Sequence, residues 1–479
     1  FVQSRIDKGL LWLFVLLFVS YLCRKLYIFY IIAAFFSSNI CLQTSFSLSL
    51  QDSLIVGIKY RNQEMGKYCL PKSECGYTIG TICKMKKLQI RPYALESSLN
   101  GTSKSFKDEL AVVSHFLMNK YLGLLVDYRE EAELIMKELL SEKMVSQGMM
   151  GEPRMAETDM FSDFFNVPFL PNKDADFTFI DLFAGIGGFR LAMQAVGGKC
   201  IFSSEFNEPA QKTYFANYGD MPFGDITLEE TKRYIPDHFD VLCAGFPCQA
   251  FSIIGKQQGF ADTRGTMFFE IQKILQKHKP KAIFMENVKQ LVTHDKGNTF
   301  KVILGILADL GYHVKWKVLN ALDFGVPQKR ERVIIVGFLD KTKIEKFSFD
   351  FDRKPYCLKD VLQNDEDVDP SLFVSDRILQ KRKESTRAKK VFYPSIWHEN
   401  KAGNISVLDY ACALRTGASY NYLLVNGYRR PSSRELLRLQ GFPEKFRIVV
   451  SHQEIRKQTG NSVAVPMMTE VAKRIKALL

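Results

Sequence analysis

The chain has 479 residues, 46% of them hydrophobic, and its 65 Lys and Arg against 52 Asp and Glu give a formal charge of +13. That length allows one to three domains with a full apolar core, and the basic excess favours a polyanionic partner. The 10 cysteines are irregularly spaced, which excludes a disulfide scaffold, and Cys69, Cys75 and Cys83 have neither paired spacing nor a nearby His for zinc.

Residues 1–64 carry two apolar pieces, Leu10–Cys23 and Leu26–Phe36, split by Arg24-Lys25. The first is short for a membrane span, and joining the two places two cations at mid-membrane, at about 2.5–3.5 kcal/mol each. The chain starts at Phe1 and has no Met before Met65, so residues 1–64 are expected to be an over-extended reading frame or fragment end rather than a working membrane anchor. Residues 65–150 read as a helical extension. Leu110, Val113, Leu117, Tyr121 and Leu124, then Ala132, Ile135, Leu139 and Leu140, predict two helices joined near Gly123–Tyr128. The pair is expected either to touch DNA or a partner, or to cap the main domain. Residues 151–176 read as a linker rich in Met, Gly, Pro and acids.

From Phe177 strand and helix patterns alternate. Phe177–Phe183 is a buried-strand pattern, Ala184-Gly-Ile-Gly-Gly188 a glycine turn, and Phe189–Val196 a helix. Glycines there let a ligand approach the backbone, but the spacing matches neither a dinucleotide fingerprint nor a phosphate loop. The next strand, Lys199–Phe206, carries Glu205 at its end, where a carboxylate can accept from both hydroxyls of a ribose. Asp225, at the following turn, can accept from an adenine amino group. Glycine turn, Glu205 and Asp225 together point to S-adenosylmethionine.

The centre of the chain is Ala244-Gly-Phe-Pro-Cys-Gln-Ala-Phe-Ser252. An apolar strand, Phe239–Ala244, delivers Cys248 to the carboxyl end of a parallel sheet, where such sheets place their chemistry. Pro247 stiffens the approach, and the polar, glycine-bearing stretch 249–265 is expected to be a mobile lid. A helix near Thr266–His278, a strand Lys281–Met285 ending in Glu286-Asn-Val288, a helix Asn298–Leu310 and strands Tyr312–Leu319 and Arg332–Phe338 follow. The alternation predicts an α/β doubly wound sheet. It stops in 339–428, where Arg377–Lys390 holds seven Lys and Arg against one Glu, and aromatics and glycines recur in a build suited to reading base edges. A helix Arg429–Gly441 and a last helix Pro466–Leu479 close the chain.

Six short motifs now stand in order: Asp181-Leu-Phe-Ala-Gly-Ile-Gly-Gly188, Gly245-Phe-Pro-Cys-Gln249, Glu286-Asn-Val288, Gln328-Lys-Arg-Glu-Arg332, Arg434-Glu-Leu-Leu-Arg-Leu-Gln-Gly-Phe-Pro443 and Gly460-Asn-Ser-Val463. With them, residues 177–338 and 429–479 resemble bacterial DNA (cytosine-5) methyltransferases of type II restriction–modification systems. The resemblance implies a mixed-sheet S-adenosylmethionine-dependent methyltransferase fold in 177–338. It further implies a smaller, irregular target-recognition domain in 339–428, and a return of 429–479 to the catalytic domain. Where the family often has a Thr-Leu pair, this chain has Ala413-Leu414.

The resemblance also implies roles. Cys248 is the nucleophile that adds to cytosine C6, Glu286 the carboxyl that serves N3, and Arg332 the group near O2, with Arg330 supporting the site. Phe183, Gly185, Ile186, Gly188, Glu205, Phe206, Asp225, Ile226, Pro247, Met267 and Asn461 match positions around S-adenosyl-L-methionine. Ser252, Arg264 and Gln328 match positions toward double-stranded DNA. No metal is required. A cytoplasmic monomer, with a cognate restriction endonuclease acting on the same site, is the family expectation. The alternatives are a tRNA cytosine-5 methyltransferase of the same fold, whose members tend to carry a second proline where this chain has Phe246, and a non-catalytic DNA-binding regulator, which is expected to lack the Cys or Glu.

Overall fold

The structure is a computed structural model. It describes residues 43–48, 54–60, 63–68, 95–96, 103–104, 106–146, 164–247, 267–386 and 391–479, with side chains in 109–139 and from 164 onward. The apolar pieces within 10–36, the first half of the 151–176 linker (151–163) and the 249–266 lid lie outside these residues. The chain divides into two compact units, Phe1–Ile90 and Arg91–Leu479. In the first, β1 (Gln43–Leu48), β2 (Leu54–Tyr60) and β3 (Gln63–Tyr68) form an antiparallel sheet. Among the described residues no helix is long and apolar enough to cross a membrane.

The second unit begins with the paired strands β4 (Leu95–Glu96) and β5 (Ser103–Lys104), then the helices α1 (Phe106–Tyr121) and α2 (Arg129–Ser146). Its main sheet takes β6 (Phe177–Leu182), β7 (Gly198–Ser204), β8 (Val241–Gly245), β9 (Ala282–Val288), β10 (His313–Asn320) and β12 (Glu331–Phe338) in the order β10-β12-β9-β8-β6-β7. β7, β6, β8 and β9 run parallel, and β12 inserts antiparallel between β9 and β10. The doubly wound mixed sheet expected from the alternation is therefore present. Strands buried on both faces read as continuous apolar runs, which is why Phe177–Leu182 and Val241–Gly245 were legible.

Helices α3 (Gly188–Gln194), α4 (Glu208–Tyr218), α5 (Glu229–Lys232), α6 (Met267–His278) and α7 (Asn298–Asp309) lie between the strands. Beyond the sheet come α8 (Lys341–Lys346), several 3-10 turns and α9 (Asp376–Ser385). The small antiparallel sheet β14-β13-β16 follows, built from β13 (Ile396–Glu399), β14 (Ile405–Leu408) and β16 (Leu423–Val425). The two-residue strand β11 (Gln328–Lys329) pairs in parallel with β15 (Ala411–Cys412) and joins the small region to the large one. Arg382, from the basic run, is buried and pairs with Glu399 at 2.5 Å. That one charge holds structure.

Near the C-terminus the expected helix Arg429–Gly441 is shorter, α10 (Ser433–Arg438). Ser432 caps it in a capping box with Glu435, and Arg429 leaves the helical path to pair with Glu435 in the interior at 2.8 Å. A helix absent from the sequence reading, α11 (His452–Asn461), starts at Ser451, whose side chain accepts from Glu454 N–H. Both starts carry the Ser-x-x-Glu signature. The last helix, α12 (Val465–Lys476), packs Met467, Met468, Val471 and Ile475 into the same core as Phe177, Phe179, Phe189 and Phe284.

Candidate active site

The parallel register sets Gly245, at the end of β8, opposite Glu286 in β9. Cys248, three residues beyond Gly245, lies outside the described residues, as do Ser252 and Arg264. Their surroundings are described. The Glu286 carboxyl is buried and meets Arg332 Nε at 2.8 Å. Burial raises its pKa above the ordinary glutamate value, against the pull of Arg332 and Arg330. Asn287, to which the sequence gave no role, is buried, and its Nδ2 donates to the Phe246 carbonyl at 2.9 Å. It thereby holds the turn that leads through exposed Pro247 to Cys248.

Strand alternation puts 328, 330 and 332 on one side and 329 and 331 on the other. Lys329 is exposed and Glu331 pairs with Lys289. Gln328 and Arg330 are almost fully buried and bonded internally, with only Arg330 Nε lacking a partner. Gln328 donates to the Leu439 carbonyl at 2.5 Å and accepts from Leu414 N–H at 3.0 Å. Arg330 donates to the carbonyls of Leu414 at 3.3 Å, Gly460 at 3.1 Å and Ser462. Burial and the neighbouring Arg332 pull its pKa down to about 9, which still leaves it charged at neutral pH. The sequence reading placed Gln328 toward DNA and Arg330 in the catalytic set. The structure places both as a bracket behind the site, and of the three residues on that side only Arg332 reaches Glu286.

On the other side of β8, the glycine turn folds over the end of β6. Phe183 and Gly187 adopt left-handed conformations with φ of 55° and 80°. A Cβ on Gly187 would lie 2.3 Å from the Tyr218 ring, and one on Gly188 2.6 Å from Val463, so both positions need glycine for close packing. At Gly185 nothing stands within 4 Å of where a Cβ would project. Ile186 and Ile226 are buried beside this turn and the next; Phe183, Gly185 and Met267 are partly exposed.

Glu205 accepts from Gly185 N–H and Asn207 N–H, each at 2.8 Å, one on each carboxylate oxygen. A second lone pair remains on each oxygen for a vicinal diol. Burial raises its pKa, opposed by those two backbone bonds. Phe206 beside it is 75% exposed, and Asp225 is exposed, with one oxygen accepting from Thr227 N–H. Asn461 is exposed and accepts from the Thr416 hydroxyl at 3.2 Å. Open space at Gly185, a strand-end carboxylate with free lone pairs and an exposed aromatic face fit a nucleoside-bearing cofactor such as S-adenosylmethionine. Among the described residues no cluster of His, Cys, Asp and Glu is arranged to hold a metal ion.

Comparison with known proteins agrees with this geometry. A family model described as C-5 cytosine-specific DNA methylase matches residues 177–477. Type II methyltransferase M.HaeII of Haemophilus aegyptius is 55% identical over 296 residues, 61% of this chain and 91% of that protein. Type II methyltransferase M.NgoBI of Neisseria gonorrhoeae is 54% identical over 301 residues, 63% of this chain and 93% of that protein. Type II methyltransferase M1.ScrFI of Lactococcus lactis subsp. cremoris is 41% identical over 381 residues, 77% of this chain and 96% of that protein. The chain belongs to the C-5 cytosine-specific DNA methylase family and is an S-adenosylmethionine-dependent DNA methyltransferase.

Proposed function

We propose that the enzyme methylates C5 of a cytosine swung out of a specific short duplex sequence, through a covalent adduct at Cys248. The observation that carries this is the strand register: Gly245, which leads into Cys248, lies opposite Glu286, and Glu286 holds Arg332. Cysteine is the most nucleophilic side chain near neutral pH. Its thiolate adds to C6, the ring π pair moves toward N3, and Glu286 delivers a proton there. The bound cofactor supplies an electrophilic methyl group, which the electron-rich C5 takes up. Loss of the C5 proton to water and of the sulfur from C6, with the N3 proton returning to Glu286, then restores the aromatic ring, the thiolate and the protonated carboxyl and leaves the methylated base. Arg332, 2.8 Å from Glu286, orients that carboxyl, and on this reading it also serves cytosine O2. Extrusion of the base costs a few kcal/mol, offset by contacts of the protein with the opened duplex.

On this reading Phe183, Gly185, Ile186, Gly188, Glu205, Phe206, Asp225, Ile226, Pro247, Met267 and Asn461 surround the cofactor, and Ser252 and Arg264 approach the DNA backbone. Residues 339–428 read the sequence. The protein works as a cytoplasmic monomer that protects host DNA from a restriction endonuclease acting on the same site.

Purified protein incubated with unmethylated genomic DNA and S-adenosylmethionine, then mapped by bisulfite sequencing, tests the reaction. Methylation confined to one short motif is expected. Activity on tRNA alone would overturn the reading. A duplex carrying 5-fluorocytosine, which has no C5 proton to lose, is expected to trap a denaturation-resistant complex with wild type and none with Cys248→Ala.

A further inference from the structure

β7 is the last strand of its sheet, so its outer edge would present unpaired backbone groups. Helix α1 closes that edge with side chains. Asn119 Nδ2 donates to the Ile201 carbonyl at 3.2 Å, and His115 Nε2 accepts from Ser203 N–H at 3.2 Å. Four residues of helix advance about 6 Å and two residues of strand about 6.7 Å, so the pair on α1 meets the edge of β7 in register. His115 Nδ1 lies 3.1 Å from the Ala111 carbonyl, which fixes the proton on Nδ1 and leaves Nε2 as the acceptor. Both side chains are buried, 1% and 2% exposed.

The same edge runs on toward the cofactor site. Phe223 N–H donates to the Ser203 carbonyl and Glu205 N–H to the Phe223 carbonyl, each at 2.9 Å. Ser114 of α1 accepts from Met221 N–H at 2.9 Å. His115 also lies 3.7 Å from Asp220, which accepts twice from Arg190 at 2.6 Å. Arg190 belongs to α3, the helix entered from the glycine turn. One helix outside the matched family region 177–477 thus holds the strand that leads into Glu205 and the segment that leads to Asp225.

We propose that α1 is a positioning element for the cofactor site: His115, Asn119 and Ser114 set the strand end and turn that aim Glu205 and Asp225, so that the extension governs affinity for S-adenosylmethionine. This rests on the reading that Glu205 and Asp225 hold the cofactor. A helix that only covered the sheet would alter stability and leave the folded protein's affinity unchanged.

The test is calorimetric binding of S-adenosylmethionine to the full-length protein without DNA, at a temperature where circular dichroism shows every variant folded. His115→Ala and Asn119→Ala are expected to weaken binding about tenfold, the effect of one mis-set hydrogen bond. His115→Gln, whose Oε1 offers an acceptor where Nε2 stood, is expected to recover most of the loss, and duplex affinity is expected to stay constant in all three. Cofactor affinity at wild-type level in His115→Ala and Asn119→Ala, with Glu205→Ala impaired, would overturn the proposal alone. Normal affinity in Glu205→Ala would instead remove the cofactor reading beneath it. If His115→Ala does not fold, Asn119→Ala and Ser114→Ala carry the same comparison. An equal loss of duplex affinity would also refute a role confined to the cofactor.

Discussion

Replacing Asn287 with Ala removes the Nδ2 donor that meets the Phe246 carbonyl at 2.9 Å, in a position only 2% exposed. Water has little access there, so the carbonyl loses its partner and the cost is the penalty of an unsatisfied buried acceptor, about 1–3 kcal/mol. Phe246 is two residues before Cys248, so the turn relieves that penalty by moving, and the thiol moves with it. If the displacement is felt fully in the addition step, methyl transfer slows by about 5- to 150-fold, a factor of ten for each 1.36 kcal/mol. Single-turnover transfer with saturating cofactor and duplex measures it, because saturation takes changes in binding out of the rate. Asn287→Asp is the sharper variant. It keeps the oxygen that accepts from Val288 N–H at 2.8 Å but turns an acceptor toward the Phe246 carbonyl. It is expected to be at least as slow as Asn287→Ala. Wild-type turnover in Asn287→Asp, or a fall in stability with no change in the transfer rate, would refute the argument that this bond places the nucleophile.

Glu286→Gln is expected to slow transfer by about 10²- to 10⁴-fold, the usual range for a general acid, with cofactor affinity nearly unchanged. Because burial raises the Glu286 pKa, its proton-carrying form persists further toward neutral pH than in an exposed glutamate, and the rate should fall as pH rises through that value; a pH–rate profile without such a limb counts against the role. Arg330→Met removes a charge bonded to three carbonyls and is expected to cost about 3 kcal/mol or more in denaturant unfolding, with weakened cofactor and duplex binding together. His115 has its pKa lowered by burial from 6.5, so below that pH the unfolded chain takes up a proton that the folded chain refuses. The stability present above pH 6.5 is therefore lost as pH falls toward the lowered value, and His115→Gln should flatten this part of the unfolding profile. Exchange of residues 339–428 for a relative's segment should move methylation to another sequence on a bisulfite map.

Much of the sheet was readable because its central strands are short, largely apolar runs, as in Phe177–Leu182 and Val241–Gly245. The alternation of Gln328, Arg330 and Arg332 against Lys329 and Glu331 was readable for the same reason, since a strand has only two faces. What those inward side chains touch was not readable. Their partners are the backbone carbonyls of Leu414, Leu439, Gly460 and Ser462, and a carbonyl leaves no mark in a sequence. α1 shows the limit most clearly. Its apolar spacing located the helix, yet Ser114, His115 and Asn119 are as buried as Val113, because His115 and Asn119 answer the edge of β7 and Ser114 answers Met221 N–H. The starts of α10 and α11 were legible in Ser432-x-x-Glu435 and Ser451-x-x-Glu454, and apolar periodicity alone set the first too early and passed over the second.

The bracket explains how segments far apart in the chain act at one place. Arg330 and Gln328 together fix Leu414, at the start of the loop that carries Thr416, and Arg330 also fixes the turn from Gly460 to Ser462 that carries Asn461. Thr416 and Asn461 then meet at 3.2 Å on the exposed side. A Cβ on Gly460 would come within 2.7 Å of Thr416 N, so the two backbones touch there without a side chain between them. Arg332, two residues from Arg330 on the same strand face, meets Glu286. The carboxyl at the candidate catalytic centre, the asparagine beside the candidate cofactor site and a loop near the C-terminal end of the recognition segment therefore share one short stretch, 328–332, as their common support. An error there cannot be confined to one of them, which is why loss of Arg330 should weaken cofactor and duplex binding together, whereas loss of Glu205 should weaken only the first.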